Sequence, residues 1–324
     1  MSDILQGEGL VGLTEVEAAA RRLAGVAVRT PLLPADVVSE ITGANVRLKC
    51  ESLQRAGSFK IRGAYNFVSQ LSDEQVASGI ITYSSGNHAQ AVALSGKLRG
   101  VRAVVVMPTT APKVKRDGAE HLGAEVIYEG TTSLERRAKA EEIAEEQGLV
   151  IVPPFDHRHI IAGQGTVGLE IAREWPDVDL VLAPIGGGGL ASGIAASIKR
   201  LLPAARVIGV EPVGAASMRK ALDEERPVVI KKIDTIADGL APIMVGELTY
   251  EHAFSLMDDV VTVSDDAIRE ATSLLVSKQK LIVEFSGAAA TAALLSKAVE
   301  AEGARVAVVI SGGNLDPTLV AGMA

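Results

Sequence analysis

Leu180-Val181-Leu182-Ala183-Pro184-Ile185-Gly186-Gly187-Gly188-Gly189 is the stretch whose reading decides the fold. Its apolar half shows no alternation, as expected of a strand buried on both faces of a sheet. The small-residue run Leu190 to Leu202 that follows reads as a helix, so the whole is a strand, a turn and a helix. Four consecutive glycines let the backbone wrap closely and turn successive N–H groups toward one anion at the helix N-terminus. The turn is therefore suited to a phosphate. It does not have the G-x-G-x-x-G spacing or the ribose-binding acid of a dinucleotide site.

The same pattern repeats on both sides of this unit. Strands are expected at Gly79–Tyr83, Val101–Met107, Glu125–Tyr128, Val150–Val152, Arg206–Val210, Val260–Val263 and Arg305–Ile310. Helices are expected at Ile61–Leu71, His88–Leu98, Pro112–Leu122, Ser133–Gln147, Gln164–Glu174, Asp265–Lys278 and Ser286–Ala301. Repeated alternation of this kind predicts an α/β fold with doubly wound parallel sheets. Ligands in such folds sit at the carboxyl ends of the strands.

Composition narrows the class. The 324 residues are 48% hydrophobic and 22% charged, ordinary for a compact globular protein, and only 3% aromatic, which suits Ala-rich helices on buried strands. A net charge of −8 without a Lys/Arg run argues against a nucleic-acid surface. No apolar run approaches the ~20 residues of a membrane span, and the N-terminus lacks a signal peptide's apolar core. A cytoplasmic location is expected. The single cysteine, Cys50, in the strand-like run Val46–Cys50, excludes an intramolecular disulfide and reads as a packed thiol. His121, His157, His159 and His252 lack metal-ligand spacing and read as loop or surface residues.

Three further polar turns fall where chemistry is expected. Lys60, in Ser58-Phe59-Lys60-Ile61-Arg62-Gly63, enters an apolar helical stretch. Facing inward, it would be desolvated and available for a Schiff base; facing outward, it would be one more solvated charge. Ser84-Ser85-Gly86-Asn87-His88 opens a helix after a strand, and its hydroxyls, amide and free N–H groups suit a carboxylate, or simple helix capping. Ser311-Gly312-Gly313-Asn314 offers a neutral hydroxyl after the last strand.

In this order the four turns, with Ala162-Gly163-Gln164-Gly165-Thr166, resemble the fold-type-II pyridoxal-phosphate (PLP) enzymes over nearly the whole chain. The resemblance is to the serine/threonine dehydratase (threonine ammonia-lyase) and serine racemase branch. It implies a tryptophan-synthase-β-like fold, with a large PLP-binding domain from residues 1–68 and 157–324 and a small mobile domain from residues 78–155. A homodimer acting on a small amino acid is implied as well. The implied reaction is elimination of water from a threonine- or serine-type β-hydroxy amino acid, giving a 2-oxo acid and ammonia. Racemisation, or dehydration of 3-hydroxyaspartate or a bulkier β-hydroxy amino acid, is the alternative.

By position, Lys60 is then the Schiff-base lysine with Phe59 beside the ring. Asn87 meets the ring hydroxyl, Gly186, Gly187, Gly188 and Gly189 the phosphate, and Ser311 the ring nitrogen. Ser84, Asn87 and His88 hold the substrate carboxylate, and Ser85 is the acid/base opposite Lys60. Arg136 stands where a substrate-handling arginine is found, although a solvated helix face is the other reading. The metal position of related racemases corresponds to Glu211, the Ala215 carbonyl and Ser217. Ser217 replaces an Asp, so a divalent metal is expected to bind weakly if at all. Where relatives commonly carry Glu-Pro this chain has Glu284-Phe285, and the ring is expected to reshape the pocket wall.

Overall fold

The computed structural model describes residues 9–84, 86–111, 113–316 and 318. Ten strands form two sheets: β1 (Leu32–Pro34), β2 (Asn45–Cys50), β3 (Ile80–Tyr83), β4 (Ala103–Met107), β5 (Glu125–Tyr128), β6 (Val150–Ile151), β7 (Leu180–Pro184), β8 (Arg206–Pro212), β9 (Asp259–Val263) and β10 (Arg305–Ile310). The larger sheet has the order β1-β2-β10-β7-β8-β9, and the smaller has β5-β4-β3-β6. All pairings are parallel except β1–β2, an antiparallel edge. That edge departs from the all-parallel expectation. Pro34, with no N–H to donate, ends the short strand, as prolines on sheet edges do.

The helices, in chain order, are α1 (Leu13–Leu23), α2 (Asp36–Thr42), α3 (Lys60–Val68), α4 (Asp73–Ser78), α5 (Asn87–Arg99), α6 (Lys113–His121), α7 (Ser133–Gln147), α8 (Arg158–Glu174), α9 (Gly189–Leu201), α10 (Ser217–Asp223), α11 (Glu247–Leu256), α12 (Asp265–Ser277) and α13 (Phe285–Leu295). Both faces of the large sheet are covered, as its uninterrupted apolar strands require. Leu182, Val308 and Ile208 pack against α13 on one side, and Val181, Ala307 and Val207 pack against α8 and α9 on the other. Two helices differ from the sequence expectation by six residues. α8 begins six residues earlier, at Arg158, and α13 ends at Leu295. Lys297, at φ +59, turns the chain away from a helix that composition alone would extend.

His252 corrects another expectation. It is fully buried in α11, where Nε2 accepts from Val11 N at 2.8 Å and Nδ1 faces the Leu248 carbonyl at 2.7 Å. Cys50 is buried as expected, and burial pushes its thiol up to about 12, which makes it a poor nucleophile.

Candidate active site

Lys60 opens α3 and points into a cavity of about 690 Å3 between the two sheets. Its Nζ donates to the Pro154 carbonyl at 2.9 Å. Burial drives its amine down to about 8, although Glu284 nearby favours the ammonium. The inward-facing reading of Lys60 is the one the structure adopts.

Backbone pairing brings the other turns to this lysine. Ser58 and Gly312 form an isolated antiparallel bridge, and Phe59 N–H donates to the Ser311 carbonyl at 3.1 Å. Asn314 Nδ2 donates at 2.8 Å both to the Ala56 carbonyl and to Asn87 Oδ1, joining a third turn. Ser311 Oγ reaches the Ser286 carbonyl at 3.5 Å, and Ser286 Oγ accepts from Gly239 N at 2.8 Å beside Gly186. Phe59, Lys60, Ser84, Asn87, His88, Ser311 and all four glycines line the same cavity.

The glycine turn has no room for side chains. A Cβ on Gly187 would lie 2.1 Å from the Phe155 ring, and Gly188 sits at φ +95 with Thr249 Cβ 2.8 Å from where its own would be. α9 starts at Gly189 without a side-chain cap, leaving its first N–H groups to point at the cavity. A neutral hydroxyl at Ser311, a half-buried lysine and an uncapped glycine cradle fit the ring nitrogen, aldehyde and phosphate of PLP.

α5 likewise begins with no side-chain cap, so its first N–H groups open toward a carboxylate. The His88 ring takes no part as a cation. It is 3% exposed, burial and Lys60 hold it down at about 3, and Nε2 faces the Val152 carbonyl at 3.1 Å. What His88 offers to the cavity is its backbone N–H, in the uncapped first turn of α5. Asn87 Nδ2 donates to Glu284 Oε1 at 2.6 Å while its Oδ1 accepts from Asn314, which fixes the orientation of the amide. Ser85 lies outside the described residues.

Arg136 lines the cavity, half-buried; among the described residues its Nε has no hydrogen-bond partner and its Nη1 reaches the Thr131 carbonyl at 3.4 Å. Its place on the cavity lining keeps a substrate-handling role open beside the solvated-face reading. Phe285 packs into the core below α13 and is absent from the cavity lining, so it does not reshape the wall; its neighbours Glu284 and Ser286 do line it. Sequence reasoning gave no role to Glu284, Pro154 or Asn314. The one available signal was an acid alone in the apolar run Leu281-Ile282-Val283-Glu284-Phe285.

Glu211, Ala215 and Ser217 lie together between β8 and α10. Both Glu211 oxygens accept from α10 at 2.8 Å, from Met218 N and Arg219 N, with Ser217 Oγ 3.5 Å away. Among the described residues no group of three or more His, Cys, Asp or Glu side chains could hold a metal.

A family model described as pyridoxal-phosphate dependent enzyme matches residues 23–312, and the chain belongs to that family. It is 42% identical over 311 residues to the L-threonine ammonia-lyase of Thermotoga maritima, covering 96% of this chain and 77% of that protein. It is also 42% identical over 323 residues to the catabolic L-threonine dehydratase TdcB of Staphylococcus aureus (strain N315), covering 98% and 93%. Maize serine racemase superposes with a TM-score of 0.93 at 37% identity, covering 97% of each chain.

Proposed function

We propose that this protein is an ammonia-lyase that eliminates water from L-threonine, and from L-serine more slowly, to give a 2-oxo acid and ammonia. The observation that carries the reading is Lys60, a partly buried lysine whose amine desolvation drives down, enclosed by an uncapped glycine cradle, a helix N-terminus and a neutral serine. Both relatives cited for sequence are named for threonine.

PLP, when bound, supplies the electron sink for the pair left behind when Cα loses its proton. The cradle Gly186 to Gly189 would hold its phosphate, with Ser311 at its ring nitrogen and Asn87 at its ring hydroxyl. A hydroxyl at the nitrogen places no full negative charge there, which tempers the sink and favours prompt elimination over a long-lived carbanion. The first N–H groups of α5, with Ser84, receive the substrate carboxylate. Arg136 supplies a cationic contact to it. The Lys60 amine takes the Cα proton as general base. Departure of the β-hydroxyl as water and hydrolysis of the released enamine give the 2-oxo acid and ammonia. Leu240, Ala241 and Ile243 form an apolar wall suited to the threonine methyl.

The same reading carries a large domain of residues 1–68 and 157–324, a mobile small domain of residues 78–155, a homodimer and a cytoplasmic location. Among the described residues no helix is long and apolar enough to cross a membrane. A divalent metal bound through Glu211, Ala215 and Ser217 would be weak, because the carboxylate already accepts from α10.

The test is 2-oxo acid formation from L-threonine, L-serine and 3-hydroxyaspartate by the holoenzyme and by Lys60→Ala. The wild type should favour threonine, and the variant should lose turnover together with the visible absorbance of bound cofactor. Turnover or native-like absorbance in Lys60→Ala would remove Lys60 from its role. Chiral analysis showing mainly D-serine from L-serine would replace elimination by racemisation.

A further inference from the structure

Two residues beyond Lys60, the side chain of Arg62 is 1% exposed and points the other way. On a helix two residues span about 200°, so a lysine facing the cavity puts Arg62 into the opposite interface. There the guanidinium grips two carboxylates, each with two oxygens. Nε and Nη2 donate to Glu51 at 2.8 Å, and Nη1 and Nη2 donate to Glu170 at 2.7 and 3.0 Å. Thr166 Oγ1 and the Val28 carbonyl accept the remaining contacts at 3.0 and 3.2 Å. Lys49, fully buried on β2, donates to Glu170 Oε2 and to the Thr30 carbonyl, both at 2.6 Å. Two cations and two carboxylates sum to zero, so the group exerts little net field on the cavity.

The group joins the start of α3 to β2, to the turn at Glu51, to the segment Val28–Thr30 and to α8. The same helix pair is held by Gly63 N–H on Gln164 Oε1 at 3.2 Å and by Asn66 Nδ2 on the His159 carbonyl at 2.6 Å. At Gly163 a Cβ would fall 2.5 Å from the Arg62 carbonyl, so α3 rests on the α8 backbone. Such a contact locates the helix axis but resists rotation about it weakly, whereas a planar guanidinium clamped by two carboxylates resists rotation strongly. Buried ion pairs contribute little net stability against apolar replacements. Geometry is the property this group controls.

We infer that Arg62, with Glu51, Glu170 and Lys49, is a positioning group that sets the rotation of α3 and thereby the aim of the Lys60 amine into the cavity. The inference rests on the role proposed for Lys60. Helix rotation would displace Nζ by an ångström or more, a misplacement that costs roughly a hundredfold in rate.

The experiment compares holoenzyme of Arg62→Lys, which keeps the charge and loses the fork, with Lys49→Met/Glu170→Gln, which removes one charge of each sign. Measurements are kcat, KM, the pH midpoint of the bound cofactor's visible absorbance, and Tm. For Arg62→Lys the expected result is a kcat drop of about a hundredfold, KM within about twofold, a displaced pH midpoint and near-wild-type Tm. The neutral double variant should fold like the wild type and show a smaller drop with the same signature. Wild-type kcat and pH midpoint in folded Arg62→Lys would overturn the inference, as would a loss that only tracks the unfolded fraction. If Arg62→Lys does not fold, wild-type kinetics in the double variant overturn it. Lys60→Ala, run alongside, separates the two failures: if it keeps its absorbance and turnover, the Lys60 role falls; if it loses both while the Arg62 and double variants behave as wild type, only the positioning group falls.

Discussion

At Lys60, burial sets the chemistry before any ligand arrives. An ordinary lysine titrates near 10.4, and this one is held at about 8 by desolvation, with Glu284 opposing. Below that pH the group is an ammonium and cannot attack an aldehyde; above it the amine is neutral. The rate at which cofactor-free protein captures PLP should therefore rise about tenfold per pH unit toward pH 8 and then level. A rate still rising toward pH 10 would contradict the buried setting. Arg136 offers a second measurement. With Nε buried and unpartnered, its replacement by Met should raise KM for threonine about tenfold, the loss of one charge-assisted contact, and leave cofactor absorbance unchanged. An unchanged KM would return Arg136 to a solvated role. Residue types showed in the sequence, but directions did not. Nothing in Glu284-Phe285 says that the acid lines the cavity while the ring turns to the core.

Among the elements, the turn between β7 and α9 is defined by what it lacks. The Phe155 ring occupies the space a Gly187 side chain would need. Gly187→Ala should weaken PLP binding by at least about tenfold, or about 1.4 kcal/mol. Gly187→Ala/Phe155→Ala should recover part of that loss, because the second change vacates the contested volume. Equilibrium titration with PLP decides the matter; wild-type affinity in the single variant would show that the turn yields. This element was legible because four glycines after an apolar run allow few alternatives. α8 was less so. Its Gly163, Gly165 and Gly168 resemble helix breakers, and the sequence reading starts the helix at Gln164 although it begins at Arg158. Tertiary contact overrides propensity there, as the packing of α3 on Gly163 illustrates. α1, α2, α4, α10 and α11 carry no motif of the site, and none of them was assigned.

For the molecule as a whole, repeated alternation disclosed wound parallel sheet and the family resemblance implied two domains, while strand order stayed hidden. Sequence neighbours need not be sheet neighbours, and β10 lies between β2 and β7, two strands made far earlier. The register aligns Arg305 with Asn45 and Ile310 with Cys50. During synthesis this has a consequence in time. Strands β3 to β6 occupy residues 80–151 and pair only with one another, so that sheet can close while the chain is still emerging. The larger sheet lacks its centre until β10 leaves the ribosome. A chain stalled at Glu300 should give a protease-resistant fragment spanning residues 80–151 and leave the flanking segments open to digestion; full resistance would contradict this order. The Ser311 turn that pairs with Ser58 follows β10, so the pocket around Lys60 is completed last. No molecule can therefore acquire its cofactor before that turn has paired, which makes each one dependent for a time on the free PLP around it.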